Sequence, residues 1–181
     1  MSTSFTVSTK LPKMKLSELL VVAIDDLCKC KDAGMDIDMQ FWHAAPMGGY
    51  NDGACMVCLA GGVMAQELHV PNDHGTPEED RVWHEVTPED IEDRRTRQYM
   101  YALNEVRSGH VERAVQYMQL GDEWAGDPPP AISYCDMPIE LRSVGVTPYR
   151  GVRGEGDPDA RFGMFVSEMR DLACRLAAAG F

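Results

Sequence analysis

Towards the end of the chain, Phe162, Phe165, Val166, Met169, Leu172, Ala173 and Leu176 recur at intervals of three and four. That spacing returns to one side of an α-helix at every turn, whereas on a strand it would scatter the same residues over both faces. The segment is therefore committed to an amphipathic helix with one buried stripe. Asp157-Pro158 supplies its start, with aspartate at the N-cap and proline in the first turn, where a missing N–H loses nothing. The predicted helix runs from about Pro158 to Ala179. A one-striped helix must bury that stripe against other elements, so the question becomes what those are.

Upstream the same period returns. Leu19, Leu20, Val22, Ala23, Ile24 and Leu27 predict a helix from about Ser17, as N-cap, to Ala33, with Gly34 as its stop. Thr87-Pro88-Glu89-Asp90 is a helix start with two acids in the first turn. It predicts a helix from about Pro88 to Val106, with Ile91, Tyr99, Ala102, Leu103 and Val106 facing inward. After Ser108-Gly109, a shorter helix from about Val111 to Leu120 carries Val111, Ala114, Val115 and Met118. A fifth helix, from near Cys55 to near His69, is predicted from an apolar run that ends before Pro71.

Gly121 to Gly156 is punctuated by proline and glycine, and Pro128-Pro129-Pro130 excludes helix there. The expected fold is mainly α: about five helices with a proline- and glycine-rich irregular region. The runner-up is α+β, with a small sheet drawn from the segments near Asp36, Val82 and Val144. Residues 1–181 read as a single domain, with 1–13 as a flexible arm.

Charge narrows the function classes. The chain has 181 residues, 44% hydrophobic and 25% charged, with a formal net charge of −12. Sequence-independent binding of DNA or RNA needs a basic surface, so direct nucleic-acid binding is not expected. No run approaches the roughly 20 apolar residues of a membrane span. Met1 to Lys15 has no apolar stretch of the secretory kind. A cytoplasmic location is therefore expected, and Cys28, Cys30, Cys55, Cys58, Cys135 and Cys174 are expected to be reduced thiols.

The densest chemistry lies between Phe41 and Leu68. It contains Trp42-His43, Tyr50 in a turn-rich loop, Cys55-x-x-Cys58, and Gly61-Gly62 within the apolar run. Three readings stand together. Cys55 and Cys58 supply two of the four ligands of a structural zinc site, with a histidine (His43, His69, His74, His84 or His110) among those that would complete it. Alternatively, Cys58 or Cys55 is a nucleophile acidified at a helix start, with His43 as base. In the third reading the thiols are small core hydrophobes, and the glycines, each costing a helix about 1 kcal/mol, permit close approach of another helix or of a ligand. Trp42 and Tyr50 can stack on a base or pack a core.

Trp42-His43 followed by Cys55-Met56-Val57-Cys58-Leu59-Ala60-Gly61-Gly62-Val63-Met64-Ala65 resembles a pattern in small, uncharacterised proteins of tailed bacteriophages and prophages. Ala102 to Gly109, with Val111 beyond, resembles their second common block. The likeness covers about a third of the chain. It implies a phage accessory protein working in the host cytoplasm. The expected function is non-enzymatic: inhibition of a host defence factor, by occluding a protein surface or by sequestering a nucleotide signal. The expected partner is a host defence protein or a small nucleotide. Trp42, His43, Tyr50, Cys55, Cys58, Gly61 and Gly62 are the candidate binding residues, with no catalytic residue, metal or cofactor assigned. The alternatives are a cysteine-dependent enzyme using Cys58 or Cys55 with His43, and a small structural zinc protein.

Overall fold

A computed structural model describes residues 10–39, 42–44, 56–68, 85–130 and 156–181. The fold is mainly α. Among the described residues five helices, α1 (Leu16–Asp32), α2 (Leu59–Leu68), α3 (Arg94–Arg107), α4 (Val111–Leu120) and α5 (Pro158–Ala178), enclose one core. Helix α1 lies at its centre and touches all four others. Its inner stripe, Leu19, Leu20, Ala23, Ile24 and Leu27, is buried almost completely.

The small sheet is built from four strands of two residues each: β1 (Asp36–Ile37), β2 (His43–Ala44), β3 (Met56–Val57) and β4 (Glu85–Val86). Their order is β1-β3-β2-β4. β3 runs parallel to β1, and β2 runs antiparallel to both β3 and β4. The segment expected near Asp36 contributes β1, and β4 forms a few residues beyond the expected Val82. Val82 and Val144 lie outside the described residues, as do nine residues of the expected N-terminal arm and most of the proline-rich region.

Three helices form close to where the apolar period puts them. α1 is capped two residues before the expected Ser17. Lys15 occupies the N-cap position, its N–H donating to the Glu18 carboxylate at 2.8 Å, while the Ser17 hydroxyl donates to the Phe181 carbonyl at 2.5 Å. A serine that reads as a cap is thus used to tie the C-terminus to α1. Gly34, at φ 85°, lets the chain turn back, so that the N–H of Met35 reaches the Cys30 carbonyl at 3.0 Å. α4 and α5 match their predicted bounds within one residue. The Asp157 side chain accepts from the Asp159 N–H at 3.2 Å at the start of α5.

Two boundaries differ. The helix expected from Pro88 to Val106 is broken. Thr87 and Pro88 start only a 3-10 turn (Pro88–Asp90), and Ile91 is then extended and fully buried. Arg97 Nε holds the Ile91 carbonyl at 3.0 Å. α3 begins afresh behind Asp93, whose carboxylate accepts from both the N–H and the hydroxyl of Thr96 at 2.8 Å. Burying Ile91 required leaving the helix, and Asp93-x-x-Thr96 supplied the second cap.

The helix expected from near Cys55 starts at Leu59 instead, because Met56 and Val57 are paired on both sides as β3. The Asp38 N–H donates to the Val57 carbonyl at 3.0 Å, and the Cys58 N–H to the Trp42 carbonyl at 3.2 Å. Cys58 is therefore the joint between strand and helix, and its own carbonyl accepts the Gly62 N–H at 2.8 Å to close the first turn. Cys58 thus precedes the helix, and Cys55 lies outside the described residues.

Candidate functional site

Cys58 sits where β3 delivers the chain into the core, with no exposed surface. Burial pushes its thiol pKa up, because a thiolate there would lose its hydration. The positive charge of Arg107 and the Gly61 N–H, 3.4 Å from Sγ, oppose that shift without reversing it. A nucleophilic cysteine needs the opposite balance: partial exposure and a lowered pKa. Cys58 has the environment of a core thiol.

Gly62 explains how α2 approaches the core. A Cβ at Gly62 would lie 3.2 Å from both the Cα and the backbone N of Leu27. Helices α1 and α2 cross here with backbone nearly against backbone, and the Cys30 thiol meets the Gly62 carbonyl at 3.8 Å. Gly62 serves helix contact and leaves no space for a ligand at that point, and the Gly61 amide is directed at Sγ of Cys58.

Trp42 is half-buried and directly precedes β2, an inner strand of the sheet. Its ring meets the Tyr101 ring edge-on, with centroids 6.1 Å apart and planes at 82°. The Arg107 guanidinium lies 4.9 Å from the centre of the Trp42 ring. Arg107 also donates from Nε to Asn104 Oδ1 at 2.6 Å and from Nη1 to the Met39 carbonyl. One arginine on α3 thus clasps the chain on both sides of residues 40 and 41. The aromatic contact continues inward. Tyr101 stacks on Tyr117 at 5.9 Å, and both touch Trp124, which is buried and donates from its indole N–H to the Asp127 carbonyl at 2.7 Å. Trp42 is therefore a brace at the rim of an aromatic cluster.

The structure brings together Trp42, Cys58, Gly61 and Gly62 of the candidate set and adds Arg107 to them. His43 contributes its backbone to β2, while Tyr50 and Cys55 lie outside the described residues. Of the histidines considered for zinc, His69, His74 and His84 also lie outside. His110 pairs through Nδ1 with Glu105 at 3.2 Å. Among the described residues no group of three His, Cys, Asp or Glu side chains is arranged to hold a metal. The two blocks that carry the phage resemblance touch each other, because Arg107 belongs to the second block and Trp42 to the first.

A different feature is open to solvent. α1 and α5 run antiparallel, as the contacts Ser17 to Phe181, Asp25 to Arg170 and Lys31 to Asp159 show. Between them is a groove of about 480 Å³. Val21 of α1 and Ala173, Cys174 and Ala177 of α5 line it, with Glu18, Asp25 and Arg170 supplying charge. Val21 is 46% exposed, on the side of α1 that also carries Glu18 and Asp25. A sequence signal exists for it: Val21 falls beside the buried stripe of α1, so it is an apolar residue that the core does not require.

No protein family, curated protein or solved structure matches this chain.

Proposed function

We propose that this chain is a phage-encoded binding protein that inhibits a host defence factor by occluding a protein surface, in the cytoplasm of the infected cell. The phage setting comes from the resemblance of the Trp42 to Ala65 and Ala102 to Gly109 blocks. The observation that carries the mode of action is the open, apolar groove between α1 and α5. A protein side chain entering the groove would cover Val21 and meet its charged rim of Glu18, Asp25 and Arg170. Among the described residues no helix is long and apolar enough to cross a membrane.

Surface occlusion is favoured over nucleotide sequestration by the state of the Trp42 to Gly62 block. A stacking site would need an available face of Trp42, and its ring already packs against Tyr101 and Arg107. An anion site at the start of α2 would need free amides, and the Gly61 amide is engaged with Cys58.

The test is a plating assay. The protein is expressed in hosts that each carry one defence system, and defence-sensitive phages are plated on them. The expected result is restored plating on at least one host, with the defence protein recovered in stoichiometric complex from that strain. Unchanged plating on every host, with no complex formed by any purified defence protein, would overturn the proposal.

A further inference from the structure

We infer that Tyr101, with Glu89 as its proton acceptor, is a redox-active tyrosine: the residue on which one-electron oxidation of the aromatic cluster comes to rest. This stands apart from the binding reading above and does not depend on it.

Trp42, Tyr101, Tyr117 and Trp124 form one connected set with Tyr101 in the middle. Between ring centroids it lies 6.1 Å from Trp42, 5.9 Å from Tyr117 and 5.8 Å from Trp124. Tyr117 and Trp124 close the set at 6.3 Å. Aromatic rings at such separations are in direct contact. Indole and phenol are also among the side chains that give up one electron most readily. An electron therefore passes between these rings without crossing solvent or saturated chain.

Proton acceptors decide where the deficit settles. An oxidised phenol is a strong acid, so a tyrosine gives up an electron easily only where its proton has somewhere to go. The Tyr101 hydroxyl donates to the Glu89 carboxylate. Burial alone would raise the Glu89 pKa, but the hydrogen bonds from Tyr101 and Thr87 outweigh it, so the carboxylate is ionised at neutral pH and able to accept. The other three rings differ. Trp124 donates its N–H to the Asp127 carbonyl at 2.7 Å, and a carbonyl is too weak a base to keep that proton. The Arg107 guanidinium, 4.9 Å from the centre of the Trp42 ring, opposes a positive charge forming there. No acceptor for the Tyr117 hydroxyl is found among the described residues.

A one-electron oxidant, such as an ultraviolet photon that ejects an electron from indole, leaves Trp124 as a radical cation. Trp124 then takes one electron from Tyr101. The Tyr101 O–H bond breaks, and its proton passes to a Glu89 oxygen within the existing hydrogen bond. The products are neutral Trp124, a neutral Tyr101 phenoxyl radical and a protonated Glu89 carboxyl. A small reductant such as ascorbate returns the electron to Tyr101, and Glu89 returns the proton. Tyr101 is half-buried and Glu89 exposed, so a reductant reaches this pair, whereas Trp124 is enclosed.

The test is transient absorption after ultraviolet photo-ionisation of the tryptophans in the full chain, with an electron scavenger in solution. The indole-radical band is expected to decay as the tyrosyl band rises, at a rate independent of protein concentration. Tyr101→Phe should abolish that rise. Tyr117→Phe should keep it, since Trp124 touches Tyr101 directly. Glu89→Gln should slow it on the order of a hundredfold, the lower end of what a positioned proton acceptor contributes. Circular dichroism verifies the fold of each variant, and Glu89→Gln alters an exposed side chain outside the core. Indole radicals that persist in the parent without a tyrosyl rise would overturn the inference. So would a rise unchanged in Tyr101→Phe or in Glu89→Gln, and a rise lost in Tyr117→Phe would move the site to Tyr117.

Discussion

The Arg107 guanidinium lies 4.9 Å from the centre of the Trp42 ring and also donates to the carbonyl of Met39, 68 residues away in the chain. A planar cation can satisfy a carbonyl and face an aromatic ring together, which an ammonium does less well. That one side chain fixes how the segment around β2 lies against α3, and so where β3 enters the core.

Arg107→Ala is accordingly expected to destabilise the fold by about 1–3 kcal/mol, from a lost cation–π contact and a lost carbonyl partner. Urea unfolding measures it. Arg107→Lys should recover only part. Amide exchange localises the effect: the Cys58 N–H, bonded to the Trp42 carbonyl, should exchange faster in Arg107→Ala while amides in the middle of α5 do not.

Gly62 and Gly163 form a matched pair. Both are helical glycines, so alanine should add up to about 1 kcal/mol of helix propensity at either. At Gly163 nothing lies within 4 Å of the new Cβ, and Gly163→Ala should raise the melting temperature. At Gly62 the new Cβ would stand 3.2 Å from Leu27 backbone, which cannot swing aside. Gly62→Ala should instead cost about 1–3 kcal/mol by overpacking. Opposite shifts in thermal melts are the expected result, and equal gains would show that α1 and α2 have room to part.

Thiol chemistry should divide by burial. At neutral pH iodoacetamide should alkylate the exposed Cys174 and leave Cys58 unmodified until denaturant is added. Peptide mapping by mass spectrometry reads this directly. Rapid labelling of Cys58 in the native protein would restore the cysteine-enzyme reading.

Stability should fall on the alkaline side. Burial raises Cys58 above its ordinary value of 9.0, and burial followed by the hydrogen bond to Glu89 raises Tyr101 above 10.0. A group raised in the folded state keeps its proton there after the unfolded chain has released it. The associated stability is whole below the unfolded pKa and declines as pH rises from about 9 towards the folded value. Unfolding midpoints measured from pH 7 to 10.5 should decrease, and Cys58→Ala, which lacks the thiol proton, should flatten the first part of that decline.

Asp93→Ala should cost about 1 kcal/mol by removing the cap from α3. Burial alone would raise the Asp93 pKa, but the Thr96 N–H and hydroxyl bonds outweigh it and hold the carboxyl below 3.8. That contribution is present above the unfolded pKa and lost as the pH falls through the folded one. Acid titration should therefore unfold the parent and Asp93→Ala with converging stabilities below about pH 3.8, given the reference value for aspartate.

By itself the sequence determined the helices whose stripes repeat over several turns. Leu19, Leu20, Ala23, Ile24 and Leu27, then Val111, Ala114 and Val115, then Phe165, Met169, Leu172, Ala173 and Leu176 are buried as their spacing requires, because each such helix carries its own local pattern; Val22, Met118, Phe162 and Val166, expected in the same stripes, are only partly buried. It also showed the helix stop at Gly34 and the density of chemistry around Trp42 and Cys58. Only the tertiary structure decided what that density is for. Met56 and Val57 read as the start of a helix and became a strand because chain from either side of the sheet pairs with them. Ile91 left its helix to reach the core. Gly62 proved to be a seat for Leu27, and Trp42 a surface for Arg107. The α1–α5 groove exists because two separate stripes face the same core and leave Val21 and Cys174 side by side outside it. Periodicity is a property of neighbours in sequence. Pairing, close approach and grooves are properties of residues that meet only once the chain has folded, so no local pattern records them.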